Sequence, residues 1–202
     1  MFTIKTLPAA HLTIKSKSTS SRYLAKALLK TVVKQLTGIK YVLAKDLPAQ
    51  LGEGAYSHVF AHPTDDSKVI KICWRSPNYI QYLEWCWGHQ DNPYVPRIDS
   101  MTLVRNKLGG CLSELAIVVL ERLAPCDSYE PEHEGNARVY DDFKDAFHMA
   151  AREPETVDPL LVEVRKWLDG FVRADGAWYD LHNGNIMVRG KSQAVLTDPV
   201  GG

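Results

Sequence analysis

Apolar residues recur at helical spacing in four parts of the chain, with short β-branched runs between them. The first helical pattern covers residues 21 to 36, where an apolar stripe is formed by Leu24, Leu28, Leu29, Val32 and Val33. The same spacing predicts helices near 78–88, 139–152 and 158–173. Runs rich in Val and Ile predict strands near 48–51, 57–62, 68–73, 97–105 and 115–121, and a hairpin of 186–188 with 194–196. We therefore expect an α+β protein with a β-rich stretch followed by a mainly helical one.

Composition narrows the class of protein. The 202 residues are 45% hydrophobic and 24% charged, which is enough to bury a core. The sequence has neither an apolar run of membrane-spanning length nor a secretory signal pattern, so we expect a cytoplasmic protein without a membrane partner. The four cysteines lack the spacing of a zinc site and are expected to be reduced thiols.

The net charge is zero, but the basic residues are unevenly placed. Residues 1–45 contain nine Lys or Arg and no Asp or Glu, which leaves an excess of nine acidic residues in the remainder. Lys26, Lys30 and Lys34 line up at every fourth position of the first helix, opposite its apolar stripe. We expect this segment either to pack on the acidic body or to present a basic face to an acidic partner. Direct nucleic-acid binding is not expected, because no aromatic pattern accompanies the lysines.

The candidate chemistry lies near the end of the sequence. Asp180 is followed by Asn185 five positions later and by Asp198 at the close of an apolar run. In phosphoryl-transfer enzymes such an Asp orients the attacking hydroxyl, while the Asn and the second Asp hold metal ions. His182 lies within this loop and has either a structural or a substrate-facing role, since no zinc constellation surrounds it.

Upstream residues complete the same pattern in the expected order. Gly52, Gly54 and Ser57 occupy a strand–loop–strand segment, with Ser57 where a third glycine is common, and Lys71 lies inside an apolar strand. Each has a plainer explanation alone, such as a hairpin turn or an edge-strand lysine. Their joint occurrence in this order favours a nucleotide-phosphate site.

In these motifs the sequence resembles a known family. Val69-Ile70-Lys71, the run Gly184 to Met187 and the run Leu196 to Val200 are similar to those of the early serine/threonine protein kinases of T7-like short-tailed bacteriophages. Asp-Pro-Val after the last predicted strand, in place of the usual Asp-Phe-Gly, distinguishes this family from the small-molecule kinases that share the Asp180 loop motif. The resemblance implies phosphorylation of the protein itself and of host bacterial proteins, with a contribution to host transcription shutoff.

The resemblance also implies a compact bilobal protein-kinase-like fold that uses ATP and Mg2+. The domains would be a basic N-terminal extension at 1–45, a β-rich N-lobe at 46–123 and a small, mainly helical C-lobe at 124–202. The C-lobe would end just after the metal-binding Asp.

Residue roles follow from the matching motif positions. Asp180 would orient the attacking hydroxyl, and Lys71 would neutralise the α/β-phosphates. Asn185 and Asp198 would hold magnesium. Further nucleotide contacts would come from the glycine loop, from a lysine-orienting glutamate on the second helix, and from a hinge that offers backbone groups to adenine: Gly52, Gly54, Ser57, Glu84, Glu121 and Leu123.

Two departures from the kinase pattern leave other classes open. Trp178 stands where the catalytic-loop histidine is usual, and the given sequence stops at Gly202, four residues past Asp198, without the later motifs of a peptide platform. We expect either that a longer natural chain was truncated, or that this is a minimal kinase whose substrate surface comes from the basic segment or from another protein. The alternatives are a catalytically weak kinase-fold protein that inhibits a host enzyme by binding, and a small-molecule phosphotransferase.

Overall fold

The computed structural model describes residues 21–38, 41, 43–74, 77–108, 111–126 and 134–201. The helices are α1 Ser21–Thr37, α2 Pro77–Gly88, α3 Glu134–Arg152 and α4 Pro159–Asp175. The strands are β1 Gln50–Gly54, β2 Ser57–Ala61, β3 Lys68–Trp74, β4 Ile98–Leu108, β5 Cys111–Glu121, β6 Ala124–Pro125, β7 Trp178–Tyr179, β8 Ile186–Arg189, β9 Gln193–Leu196 and β10 Val200–Gly201. Short 3-10 turns occupy Ala44–Asp46 and Pro154–Thr156. Residues 1–20 of the predicted N-terminal extension lie outside the described residues.

These elements form two compact units. The first unit contains the described residues up to Trp74 together with Ile98–Arg122, and the second contains Pro77–Arg97 together with the described residues from Leu123 onward. A five-stranded antiparallel sheet and the helices make a mixed α/β structure that is compatible with a kinase-like fold. No helix in the described part of the chain has the length and apolarity needed to cross a bilayer.

The first unit is a sheet in the order β1-β2-β3-β5-β4 with α1 packed on one face. The apolar stripe predicted for α1 is confirmed at four of its positions, and the side chain of Leu24 lies outside the described ones. The shared core is formed by Ala25, Leu28, Leu29, Val32, Val33, Phe60, Ile70, Ile72, Trp74, Leu115, Ile117 and Val119. Successive strand residues point to opposite faces, so Lys71 lies on the face of β3 turned away from α1.

The hairpin of β4 and β5 is longer than the sequence predicted. Pairing runs from Ile98 opposite Leu120 to Leu108 opposite Cys111, whereas the predicted strands stopped at residue 105 and began at residue 115. The added residues are mostly polar, and they stay in register because backbone hydrogen bonds between paired strands do not require apolar side chains.

The second unit combines α2, α3 and α4 with two small sheets, β6-β8-β9 and β7-β10. Helix α4 begins as predicted, with the Asp158 carboxylate accepting from the backbone N–H of Leu160 at 2.9 Å and Pro159 in the first turn. It ends at Gly176, whose φ of 64° is the left-handed conformation typical of a residue that terminates a helix.

Helix α2 belongs to the second unit, which differs from the sequence-based division that placed it in a lobe spanning 46–123. The reason is its aromatic face. Tyr82 donates its hydroxyl to the carbonyl of Leu196 on β9 at 2.7 Å. Trp85 stacks on Trp167 of α4, with ring centroids 4.9 Å apart. These contacts bury α2 against α4 and β9.

The start of α3 also differs from its prediction at Val139. The helix begins at Glu134, five residues earlier, in a Glu-rich part of the sequence. Asn136 is buried and donates its side-chain amide to the carbonyl of Pro125 at 2.8 Å. A hydrogen bond to β6 therefore overrides the polar composition of this stretch.

Candidate active site

Gly52 and Lys71 lie in one row across the sheet of the first unit. Gly52 pairs with Val59, Val59 pairs with Lys71, and Lys71 pairs with Val118. Directly paired residues of antiparallel strands point to the same face, so these four share the face opposite α1. Lys71 is only 8% exposed there. An ammonium at this depth interacts strongly with a phosphate that reaches the row, because the local dielectric constant is low.

The glycine loop is a tight hairpin between β1 and β2. Ala55 and Tyr56 form its turn, and the carbonyl of Tyr56 accepts from the backbone N–H of Trp74 at 2.9 Å, which ties the loop to the end of β3. A Cβ atom added at Gly54 would lie 3.3 Å from the hydroxyl of Ser57. The two predicted residues therefore pack closely, and a larger side chain at Gly54 would displace Ser57.

Asp180, Asn185 and Asp198 lie in one hydrogen-bonded segment of the second unit. The backbone N–H of Asp180 donates to the carbonyl of Pro199 at 2.9 Å, and the side-chain amide of Asn185 donates to the carbonyl of Asp180 at 2.9 Å. Thr197 donates both its backbone N–H and its hydroxyl to the carbonyl of Asn185, at 2.8 and 3.0 Å. The predicted loop is thus closed onto the two residues that flank Asp198.

His182 shapes the turn between Asp180 and Asn185. Its Nδ1 accepts from the backbone N–H of Gly184 at 3.0 Å, so in the neutral ring the proton is on Nε2. That nitrogen lies 3.7 Å from the carboxylate of Asp180. A Cβ atom at Gly184 would approach the imidazole to 2.8 Å, so a larger residue here would displace the His182 ring. The structure therefore gives His182 a structural contact, beside the proposed catalytic carboxylate.

The side chains of Asn185 and Asp198 suit a magnesium ion. The Asn185 amide uses its nitrogen to hold the loop, which leaves its oxygen as the atom for coordination. Magnesium prefers oxygen ligands and usually takes one or two from the protein, with phosphates and water completing its shell. Among the described residues there is no cluster of three or more His, Cys, Asp or Glu that could hold a metal alone. The donor set fits an ion that is shared with a nucleotide.

Tyr82 packs beneath this metal-ligand pair. Its phenol is fully buried, and burial is the main cause that raises its pKa well above the usual value; Cys86, Tyr79 and Asp198 add smaller contributions in the same direction. Tyr82 thus stays neutral and holds the carbonyl of Leu196, two residues before Asp198.

The remaining predicted nucleotide contacts belong to different elements of the two units. Glu84 is exposed on α2 of the second unit. Glu121 is the last residue of β5 and pairs with Lys68, while Leu123 follows it in the second unit. Arg122 between them donates its backbone N–H to the carbonyl of Ser67 at 2.7 Å. The predicted roles of Glu84, Glu121 and Leu123 stay predictions.

A group of side chains around the catalytic loop could not be predicted from the sequence. Tyr179 donates its hydroxyl to Asp169 of α4, and Tyr140 of α3 donates to the carbonyl of Leu181 at 3.0 Å. Arg165 forms an ion pair with Asp169 at 2.8 Å. The four-residue spacing of Arg165 and Asp169 on a predicted helix indicates a pair, but it does not connect that pair with residue 179.

A comparison with protein families places most of the chain in a single match. The family model described as Bacteriophage T7 protein kinase 0.7 matches residues 36–201, a segment that includes the glycine loop, Lys71 and the loop from Asp180 to Asp198. Among curated proteins, none matches the chain.

Proposed function

The chain belongs to the bacteriophage T7 protein kinase family, and on that premise we propose that it is an ATP-dependent serine/threonine protein kinase. The observation that carries the proposal is the closed loop of the second unit, in which hydrogen bonds join Asp180, Asn185 and the neighbours of Asp198. A kinase needs its nucleophile-orienting carboxylate and its metal ligands held in fixed relation, because catalysis rests on positioning and on charge.

Each proposed role matches the chemistry of its residue. Asp180 orients the acceptor hydroxyl and takes its proton as the acceptor oxygen bonds to the γ-phosphorus and the bond from that phosphorus to the bridging oxygen of ADP breaks. Lys71 compensates negative charge on the α- and β-phosphates. Asn185 and Asp198 hold Mg2+, which when bound neutralises phosphate charge. The backbone of Gly52 and Gly54 approaches the phosphates without a Cβ in the way, with Ser57 beside them.

Three further roles complete the proposed ATP site. Glu84 orients Lys71, and Glu121 and Leu123 offer backbone groups to adenine. Support for these roles is the motif order alone.

The proposed substrates are the protein itself and proteins of a host bacterium, in whose cytoplasm the kinase acts, with a contribution to shutting down host transcription. The family match supports a phage protein kinase, and these substrates and this contribution follow from the resemblance of the motifs. An acceptor hydroxyl of Ser or Thr is the further assumption that phosphoamino-acid analysis of the labelled products tests directly.

A basic face on α1 is proposed to recruit an acidic partner protein. Lys26, Lys30 and Lys34 are exposed, and none of them forms an ion pair with a carboxylate among the described residues. Because the opposite side of α1 is buried in the sheet core, the helix presents these lysines in a fixed row. Replacing all three by Gln should weaken capture of an acidic protein more at low salt than at high salt. Equal loss at both salt concentrations would contradict an electrostatic contact.

The proposed reaction is tested by transfer of labelled γ-phosphate from ATP with Mg2+, alone and with bacterial lysate. We expect Asp180→Ala and Asp198→Asn to abolish labelling while retaining the fold. Asp142→Asn is the matched control, because this carboxylate is exposed on α3 and its contact is an ion pair with Arg138 at 3.5 Å. Asp142→Asn should label like the parent protein.

The other outcomes separate the alternative functions. ATP binding without transfer to any acceptor would favour a kinase-fold protein that inhibits a host enzyme by binding. Label on a small molecule rather than on protein would favour a small-molecule phosphotransferase. Labelling that persists in Asp180→Ala would contradict the assignment of this residue.

A further inference from the structure

We propose that Tyr140 and Tyr179 are positioning residues that hold Asp180 from the two residues on either side of it. The inference rests on the proposed function, because it concerns the carboxylate assigned to orient the acceptor hydroxyl. Tyr179 directly precedes Asp180, and Leu181, whose carbonyl binds the Tyr140 hydroxyl, directly follows it. The two phenols thus restrain the backbone immediately before and after the reacting side chain.

The anchor of Tyr179 is itself held from several directions. Its hydroxyl donates to the Asp169 carboxylate, and the same carboxylate oxygen accepts from Nε of Arg165 at 2.8 Å. The side chains of Arg165 and Asp169 are 14% and 20% exposed, so this pair is screened by water far less than a surface pair. Tyr179 therefore binds a carboxylate whose position is already fixed on α4.

Arg165 also connects the anchor to α3. Its guanidinium carbon lies 4.6 Å from the ring centroid of Phe147 and 4.8 Å from that of Tyr179. One of its terminal nitrogens donates to the carbonyl of Phe147 at 3.2 Å. A planar cation in contact with two aromatic rings and bound to a carboxylate has little rotational freedom. α3, α4 and β7 are joined at this point.

Tyr140 supplies the second restraint from α3. It donates to the carbonyl of Leu181 at 3.0 Å, while the backbone N–H of Asp180 is bound to Pro199. The carbonyl of Asp180 accepts from the side-chain amide of Asn185, so the peptide groups before and after Asp180 are both bound within the second unit, and Tyr140 binds the carbonyl one residue further on. With its backbone bound in this way, the Asp180 carboxylate can move only by rotation about its own side-chain bonds. A group that orients a substrate works best when its freedom to move is small.

Trp178 and Tyr179 occupy the positions where protein kinases commonly carry His and Arg before the catalytic Asp. The structure assigns a physical reason to the tyrosine at 179. The Asp169 carboxylate already pairs with Arg165 at 2.8 Å and lies 3.9 Å from the guanidinium of Arg173, so an Arg at 179 would add a third cation around one negative charge. A phenol binds the carboxylate as a neutral donor and adds no further positive charge.

The test compares three substitutions that each remove one phenolic hydroxyl. Tyr179→Phe and Tyr140→Phe should each lower kcat about three- to tenfold, the range expected for one lost hydrogen bond, with the KM for ATP little changed. Tyr94→Phe is the matched control, because the Tyr94 hydroxyl donates to Asp158, the cap of the helix that carries Asp169, at 3.1 Å, while its bond with Leu196 is made by the backbone carbonyl, which the substitution retains. Its kcat should equal that of the parent.

A second measurement makes the outcome independent of activity. Hydrogen exchange of the backbone amides from Tyr179 to Asn185 should accelerate in Tyr179→Phe and Tyr140→Phe and stay unchanged in Tyr94→Phe. If the parent protein transfers no phosphate, the proposed function fails, while the exchange data still decide whether the phenols hold the loop. Unchanged exchange in both variants, or an equal change in the control, would overturn the inference.

Discussion

Replacing Leu29 by Ala should strongly lower the stability of the first unit, because this side chain is fully buried between α1 and the sheet. Leu29 is 0% exposed and belongs to a core cluster that includes Ile70, Ile72 and Leu115. Replacing a buried leucine by alanine lowers the free energy of unfolding by roughly 2 to 5 kcal/mol. We expect about 3 kcal/mol here, because the sheet face is rigid and cannot move to fill the cavity.

The matched control is Leu36→Ala on the same helix. Leu36 is 40% exposed, so the identical chemical change should cost less than about 1 kcal/mol. Both changes replace Leu by Ala within α1, so helix propensity contributes almost equally to each. The difference between the two variants therefore isolates the packing of α1 on the sheet.

Native-state hydrogen exchange of the β3 and β5 amides is the suitable assay, because it reports the opening of the first unit separately from the second. A loss of about 3 kcal/mol corresponds to roughly a hundredfold faster exchange in Leu29→Ala, with amides of α4 unaffected. Equal exchange rates in Leu29→Ala and Leu36→Ala would refute the view that α1 is part of the core. α1 would then be an appendage that the sheet does not require.

Four more outcomes follow from the geometry. Lys71→Met should lower phosphate transfer by about a hundredfold or more without lowering the melting temperature, because it removes a charge while filling the same buried space; steady-state kinetics and a thermal melt check both parts. Gly54→Val should raise the KM for ATP by crowding the hydroxyl of Ser57, and a nucleotide titration measures it. Burial raises the pKa of Tyr94 to about 12, so the folded state holds the phenolic proton more tightly than the unfolded state. The resulting contribution to the free energy of unfolding is present below pH 10 and lost as the pH rises through 12. Urea unfolding of the parent and of Tyr94→Phe should diverge in that window. Burial also raises the pKa of the Cys86 thiol, so native protein should resist alkylation at this residue until it is unfolded, as peptide mass mapping would show.

The sequence was most informative where one element carries its own signal. The stripe of α1 and the Asp158–Pro159 start of α4 are local features, and the structure confirms both. The order of the glycine loop, Lys71 and the Asp180 motif is likewise visible along the sequence without knowledge of tertiary contacts. The family match supports the interpretation of these motifs as those of a phage protein kinase.

Features that depend on two distant elements were beyond the sequence. The assignment of α2 to the second unit depends on Tyr82 reaching Leu196 and on Trp85 stacking on Trp167, contacts that span more than eighty residues. The restraint of Asp180 by Tyr140 depends on the packing of α3, which periodicity does not define. The end of β4 was also predicted too early, at residue 105, because the polar residues beyond it do not look like a strand. Pairing continues there through backbone hydrogen bonds.

The two faces of α1 are subject to different selection. Substitutions at Leu28, Leu29 or Val33 are constrained by the need to fold, whereas Lys26, Lys30 and Lys34 project into solvent and can change without disturbing the core. The charge pattern of this helix can therefore change in a few mutational steps without altering the packing of α1 on the sheet. Rapid divergence on one side of a helix whose other side is conserved is the evolutionary pattern that this packing predicts for related phages.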